Sequence, residues 1–167
     1  MSLNTSLFYQ IFPSDLLEED LNQWGIVGTC SPPYRIGYAT TITPDIVTQA
    51  INQGVNIIVS HHKAWDFMFE QKDAVIENLE KNSISNIWAH TPLDKCQFGT
   101  GVSLLELLNC SITASIDNGN GRVGKLNTSM TLSQVKSIFS REISEEPARA
   151  FDSGKNIVNI GTVTGAG

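Results

Sequence analysis

The chain has 167 residues, of which 41% are hydrophobic and 17% are charged, and its formal net charge is −6. This composition excludes a disordered chain, and the length is sufficient for one domain with its own core. The acidic balance argues against duplex nucleic acid as a partner, because neutralising phosphates requires a basic surface. The sequence has neither an apolar run long enough for a membrane span nor a basic and then apolar leader, so we expect a cytoplasmic protein.

The three cysteines, Cys30, Cys96 and Cys110, form neither a CxxC pair nor an even set. We therefore expect buried free thiols rather than a disulfide framework.

The amino-terminal part of the chain predicts helices followed by a loop. Residues 6–22 are predicted as one or two amphipathic helices interrupted at Pro13, with Ser14 as the cap of the second. Residues 24–34 are rich in Gly, Pro, Ser and Thr and are predicted as a loop, whereas residues 35–41 are β-prone.

Two strand–helix–strand crossovers are predicted next. Thr43 caps a helix that begins with a proline, and Gly54 stands where the chain leaves that helix in a left-handed conformation. Residues 55–59 are apolar on both faces, which is typical of a central parallel strand. A helix over residues 72–81 and a short strand over residues 87–89 complete the second crossover.

The second half of the chain has a different hydrophobic pattern. Apolar and polar residues alternate in two strands around a glycine-rich turn, and a later helix begins with a capping box. The predicted elements are a helix over 102–108, a hairpin of 112–116 and 122–126, a helix from Thr131 with Gln134 and a strand over 157–160. The fold class is therefore α/β: a mixed, largely parallel sheet with flanking helices and a β-hairpin in the second half, in a single domain over residues 1–167.

All three histidines follow predicted strands. His61 and His62 follow the central strand, His90 follows the next one, and Asp94 lies four residues further on. Because the carboxyl ends of parallel strands meet at one edge of a sheet, we expect these side chains to lie in one crevice. Imidazoles and a carboxylate suit a divalent cation of the zinc, iron, manganese or nickel type.

The number of ions is open at this point. Adjacent histidines on an extended backbone point in opposite directions, so one ion reaches both only where the strand ends and turns. Two ions bridged by Asp94 are the easier geometry, with His90 as a further ligand or as a residue that orients a ligand. Asp66 is a further candidate ligand, although a solvated loop acid is the more ordinary interpretation, and the neighbouring Trp65 is expected to pack in the core or at a subunit interface.

Five segments carry a resemblance to one family. They comprise a helix–strand segment that ends in the double histidine, a Trp-Ala-His-Thr-Pro-Leu-Asp stretch, a Gly-Thr-Gly-Val run with a leucine-rich helix, a glycine-rich turn and a Gly-Ala-Gly strand end. They lie at residues 49–62, 88–96, 98–108, 119–126 and 160–167. In this order they resemble the NGG-one-interacting-factor-three-like family, which is also labelled GTP cyclohydrolase I type 2 homologue.

This resemblance implies that His61, His62 and Asp94 are metal ligands in a dinuclear site with His90 beside it, and that the chain forms a ring-like homo-oligomer. Three features depart from the family pattern. The usual Asp-Asn is absent near Trp24, and Lys63 replaces a proline. The carboxy-terminal segment that usually supplies a His and a Glu ligand would begin where the sequence stops at Gly167, so those ligands are missing from it. The chain is thus expected to be either a fragment or a natural short member.

Two functions follow as expectations. The first is a metal-dependent hydrolase-like protein in which metal-activated water attacks a nucleotide or another phosphoester, since the sequence has no GxSxG motif or other independent nucleophile. The second is a non-catalytic oligomeric interaction or metal-sensing protein. The sequence identifies no catalytic residue and no particular small-molecule substrate.

Overall fold

A computed structural model describes residues 3–64, 71–144 and 149–164. The chain divides into two compact units, Met1–Leu93 and Asp94–Gly167, and each has a sheet of its own. That both units form a single domain stays a prediction.

The first unit contains a four-stranded sheet with helices from both crossovers. Its elements are α1 (Phe8–Ile11), α2 (Ser14–Glu19), β1 (Trp24–Val27), β2 (Ile36–Thr41), α3 (Pro44–Asn52), β3 (Ile57–His62), α4 (Lys72–Lys81) and β4 (Ser85–Ala89). The strand order is β1-β4-β3-β2. The strands β2, β3 and β4 are parallel, and β1 pairs with β4 in the antiparallel sense. The predicted mixed, mostly parallel sheet is confirmed.

The core of this unit lies between the sheet and the helices α3 and α4. Val47 of α3, Ile58 of β3 and Leu79 of α4 are buried in one cluster, together with four further buried residues: Ile42, Ala50, Val75 and Ile84. The predicted helix signals are present, because the Thr43 side chain accepts from the Ile46 N–H and Gly54 has a φ of +66°. Both crossovers therefore fold as their hydrophobic spacing predicts.

A short helix, α5 (Thr91–Lys95), follows the first sheet, and the second unit then builds an antiparallel sheet. Its elements are α6 (Thr100–Leu107), β5 (Cys110–Ile116), β6 (Gly121–Met130), α7 (Leu132–Ile143) and β7 (Ile157–Val163). The strand order is β5-β6-β7, with a turn at Asp117–Gly119 between the hairpin strands. The predicted hairpin is confirmed, and so is the capping box of Thr131 and Gln134.

Two local predictions are wrong, and one short helix was missed. The predicted loop over residues 24–34 contains β1, because pairing with β4 and a hydrogen bond from Trp24 Nε1 to the Leu17 carbonyl (2.8 Å) outweigh the weak local signal. Ser14 begins α2 rather than capping it, since the cap position is Pro13. The short helix α5 was not predicted.

Within the part of the chain that the structure describes, no helix has both the length and the apolar character needed to cross a membrane. The cytoplasmic location stays a prediction. The cysteines are free thiols, but only Cys96 is buried, and Cys30 and Cys110 are half-buried.

The cap of α3 gives a test of the first crossover. Thr43→Ala removes the side-chain acceptor for the Ile46 N–H and should lower the free energy of unfolding by about 1 kcal/mol. Thr48→Ala in the exposed middle of the same helix is the matched control, because it changes the same side chain without touching the cap. Urea unfolding of both variants measures the difference, and an equal loss in the two would contradict the capping role.

Candidate metal centre

The first unit brings all three histidines of the chain to one edge of its sheet. His61 and His62 are the last two residues of β3, and His90 directly follows β4. The two strands are parallel neighbours in which Ser60 is level with Trp88. The carboxyl ends of both strands therefore lie side by side, as the sequence predicts.

The three imidazole rings form one half-buried group. The ring centroids of His61 and His62 are 4.6 Å apart, and His90 lies 4.8 Å from the first and 5.2 Å from the second. Each residue offers one potential ligand atom, and these atoms all lie within 4.8 Å of one another. Histidine nitrogens bind zinc at about 2.0–2.1 Å, so modest side-chain rotations would let three of them reach one ion.

One ion can reach both adjacent histidines only if the strand ends at them, and this is where β3 ends. The strand β3 ends at His62, so its last two side chains are not held to the strict alternation of the strand interior. This geometry permits one ion at the three rings.

A backbone carbonyl fixes the tautomer of His61. The Nδ1 atom of His61 lies 3.1 Å from the carbonyl oxygen of Ala89, and a carbonyl oxygen accepts hydrogen bonds but cannot donate them. Nδ1 must therefore carry the proton and donate it. The neutral ring then has its lone pair on Nε2, which is the form that a metal ligand needs.

A chain of side chains fixes His90 in the same way. The Gln23 side chain donates through Nε2 to the Asp20 carboxylate (3.3 Å), so its Oε1 faces His90 Nδ1 at 2.6 Å and accepts from it. The Thr91 hydroxyl also donates to this Oε1. The backbone N–H of Asn22 lowers the pKa of the Asp20 carboxyl and keeps it an acceptor. His90 is thus also held with Nδ1 protonated.

His62 is held by its neighbouring strand and by its own backbone. Its Nδ1 lies 2.8 Å from the Thr41 hydroxyl at the end of β2, and the Ser60 hydroxyl donates to its carbonyl oxygen at 2.8 Å. A hydroxyl both donates and accepts, so this contact is compatible with either tautomer. The donor set as a whole fits a divalent cation, because each ring has an oxygen partner on Nδ1, as metal-binding histidines generally do.

Asp94 is not a member of the group formed by the three histidines among the described residues. It lies in α5, and its Oδ1 accepts a hydrogen bond from the Thr100 hydroxyl at 2.7 Å. Its role as a metal ligand stays a prediction. Trp65 and Asp66, together with the last three residues of the 160–167 segment, lie outside the described residues.

Sequence reasoning missed the residues that orient the rings. Gln23 lies in a short turn before β1, and Thr41 lies at the end of β2. Neither residue belongs to a sequence motif. Each orients one histidine ring through a hydrogen bond from a neighbouring part of the chain, Gln23 that of His90 and Thr41 that of His62. A prediction of β1 beside β4 would have suggested Gln23 as a partner of His90, but β1 was predicted as a loop.

Comparison with known proteins places the chain in a family. The family model Duf34/NIF3 (NGG1p interacting factor 3) matches residues 4–167. A curated protein of Ureaplasma parvum, named GTP cyclohydrolase 1 type 2 homolog, is 26% identical over 148 residues, and the match covers 80% of this chain and 55% of that protein. The chain thus spans about half the length of this relative.

Solved structures show the same fold. The protein ybgI, described as of unknown function, has a TM-score of 0.78 and 20% identity, over all of this chain and 71% of the other. Reduced HcgD from Methanocaldococcus jannaschii has a TM-score of 0.66 and 21% identity, also over all of this chain and 71% of the other. With the family model matching nearly the whole sequence, the chain belongs to the Duf34/NIF3 (NGG1p interacting factor 3) family.

Proposed function

We propose that the chain binds a divalent metal ion and acts as a metal-dependent hydrolase-like protein on a nucleotide or another phosphoester. The observation that carries this proposal is the group of three imidazoles, in which acceptor oxygens hold the rings of His61 and His90 with Nδ1 protonated. Half-buried acceptors that hydrogen-bond Nδ1 of each ring are the arrangement that raises the basicity of the opposite nitrogen. Three imidazoles suit zinc, iron or nickel better than magnesium or calcium.

The ligands in this proposal are the Nε2 atoms of His61, His62 and His90, with Asp94 supplying a carboxylate. His90 is included because its ring lies as close to His61 as a ligand of the same ion requires. Asp94 is included on the sequence pattern, and the Thr100 hydroxyl orients one of its carboxylate oxygens.

When bound, a divalent ion supplies a water acidic enough to act as a nucleophile near neutral pH. The protein residues contribute binding and orientation. Gln23 and the Ala89 carbonyl hold the rings of His90 and His61, and the surrounding sheet edge keeps the histidines half-buried.

A second candidate, a non-catalytic oligomeric interaction or metal-sensing protein, is favoured by an exposed apolar face on the first sheet. Tyr38 of β2 is 92% exposed and is level with Val59 of β3, which is 41% exposed, so the two side chains share one face. Ile36, on the same face of β2, is 66% exposed. Large exposed apolar patches mark interaction surfaces, and we propose that this face supports a homo-oligomer.

The ligand role of Asp94 is tested with an isosteric change. Asp94→Asn should weaken the binding of zinc by about tenfold or more, because it replaces an anionic ligand with a neutral amide, while leaving the unfolding transition unchanged. The matched control is Asp45→Asn in the exposed first turn of α3, which removes the same charge. Calorimetric titration of protein without a histidine tag measures both affinities. If Asp94→Asn unfolds the protein or binds zinc as the parent does, Asp94 is structural.

The two candidate functions differ in turnover. The hydrolase proposal predicts phosphoester hydrolysis that requires added metal, stops with a chelator and is lost in His61→Gln. A panel of nucleotides and simple phosphoesters, assayed with protein of measured metal content, provides the test. Bound metal without turnover on any substrate would contradict the hydrolase proposal and support the second candidate.

A further inference from the structure

A short turn, Leu21–Gln23, is joined to the chain just beyond the two strands that carry the histidines. The ammonium of Lys63, which follows β3, donates to the Asn22 carbonyl at 3.4 Å. The backbone N–H of His90, which follows β4, donates to the Gln23 carbonyl at 2.8 Å. The turn therefore contacts the chain at the ends of both strands.

Gln23 contacts His90 through both its backbone and its side chain. In addition to the backbone contact, Gln23 Oε1 lies 2.6 Å from His90 Nδ1 and accepts from the Thr91 hydroxyl at 3.1 Å. The backbone contact places His90 beside the turn, and the side-chain contact fixes the direction in which its ring faces. His90 is thus held where its ring centroid is 4.8 Å from that of His61.

The amide of Gln23 does not decide the tautomer of His90 by itself. An amide has an acceptor oxygen and a donor nitrogen, and either of them can face a ring nitrogen. With the oxygen towards the ring, Nδ1 is protonated and Nε2 keeps its lone pair for a metal ion. With the nitrogen towards the ring, Nδ1 must accept, and the proton of the neutral ring then lies on Nε2 and prevents coordination there. The orientation of one amide thus decides whether Nε2 of His90 can be a ligand.

The carboxylate of Asp20 selects the first of these two orientations. Its Oδ1 accepts from the Asn22 N–H at 2.8 Å, and its Oδ2 accepts from Gln23 Nε2 at 3.3 Å. An ionised carboxylate accepts hydrogen bonds and cannot donate them, so the reversed amide would place two acceptor oxygens against each other. Asp20 itself is exposed. A surface residue therefore acts on His90 through Gln23.

The other two rings are held in ways that this chain of side chains does not influence. The Nδ1 atom of His61 faces a backbone carbonyl, which no substitution can reverse. The Nδ1 atom of His62 faces the Thr41 hydroxyl, which suits either tautomer. A substitution that reverses the Gln23 amide should therefore change His90 and leave His61 and His62 as they are.

We propose that Asp20 and Gln23 are positioning residues that make His90 available to a divalent ion as its third histidine ligand. This inference rests on the metal binding in the proposed function and deepens it, because it assigns the residues that prepare the third ligand. Both residues act through His90 rather than on the ion. The affinity of the site for metal is thus set in part by a carboxylate at the surface of the protein.

Asp20→Asn tests the step from Asp20 to Gln23. Asparagine caps a turn as well as aspartate does, so the Asn22 N–H should keep an oxygen acceptor. The introduced side chain has only that one oxygen, and its amino group then faces Gln23 and draws Oε1 away from His90. We expect His90 in metal-free protein to become the Nε2-protonated tautomer, measured from the ¹⁵N signals that are lost in His90→Gln. Zinc affinity, measured by calorimetry, should fall by about 10- to 100-fold.

Combining Asp20→Asn with Gln23→Glu exchanges the donor and the acceptor between the two positions. The introduced glutamate can accept from the introduced asparagine and from His90 Nδ1, so the Nδ1-protonated tautomer and most of the zinc affinity should return in mildly alkaline buffer. This recovery would also show that the single variant did not lose affinity by misfolding. The matched control is Asp15→Asn in the exposed first turn of α2, which removes the same charge and should change neither the tautomer nor the affinity.

An unchanged His90 tautomer in Asp20→Asn, or a changed tautomer with unchanged zinc affinity, overturns the inference while the proposed metal centre stands. Equal losses of affinity in Asp20→Asn and Asp15→Asn also overturn it, because charge and not amide orientation would then be responsible. A double variant that does not recover the Nδ1-protonated tautomer has the same consequence. If the unsubstituted protein binds no zinc, the proposed metal centre is contradicted and this inference fails with it.

Discussion

Backbone pairing between β3 and β4 sets the positions of the three imidazoles. The pairing runs from Ile57 with Ser85 to Ser60 with Trp88 and leaves the next residues of both strands at one edge. Parallel pairing of this kind is possible only because α4 returns the chain across the sheet. The buried residues Val75 and Leu79 hold that helix in place, so the geometry of the site depends on the apolar core beneath it.

Hydrogen bonds then fix the orientation and the tautomer of the neighbouring histidine rings. The Ala89 carbonyl and Gln23 Oε1 accept from the Nδ1 atoms of His61 and His90, and both acceptors belong to the chain around β4 and β1. Without them each ring could exchange tautomers, and only some of the combinations would present three lone pairs to an ion. The edge strand β1 therefore matters to the site, because Gln23 directly precedes it.

Two polar residues on the same strands as the histidines are buried and hydrogen-bonded to each other. Asn86 and Ser60 are both buried, and burying such groups is unfavourable unless they are hydrogen-bonded. They bond to each other and to the backbone of β3. The Ser60 hydroxyl donates to the His62 carbonyl, so this buried pair also holds the end of β3 where the histidines lie.

The fold was largely predictable from the sequence because its helices and parallel strands follow local rules. Thr43 and Gly54 begin and end α3 as expected, and the non-alternating apolar run became part of the central strand β3. The failure at β1 has a clear origin, since Trp24 and its neighbours become a strand only through pairing with β4. Long-range pairing of a short glycine-containing segment leaves little signal in the sequence.

The site was predictable as a set of residue types but not as a geometry. Spacing after predicted strands identified His61, His62 and His90, and the structure brings these three together. The family resemblance ranked Asp94 above His90 as a ligand, and only the structure shows how close the ring of His90 lies to that of His61. The orienting partner Gln23 could not be found, since a single hydrogen bond between residues 67 positions apart has no sequence pattern.

The most direct test of the central claim is nitrogen NMR of protein with ¹⁵N-labelled histidine, because the chain has three histidines and all of them belong to the group. The account predicts that His61 and His90 are Nδ1-protonated tautomers without metal, and that zinc shifts the Nε2 signals of all three rings together. An Nε2-protonated tautomer at His61 or His90, or Nε2 signals that do not respond to zinc, would contradict it.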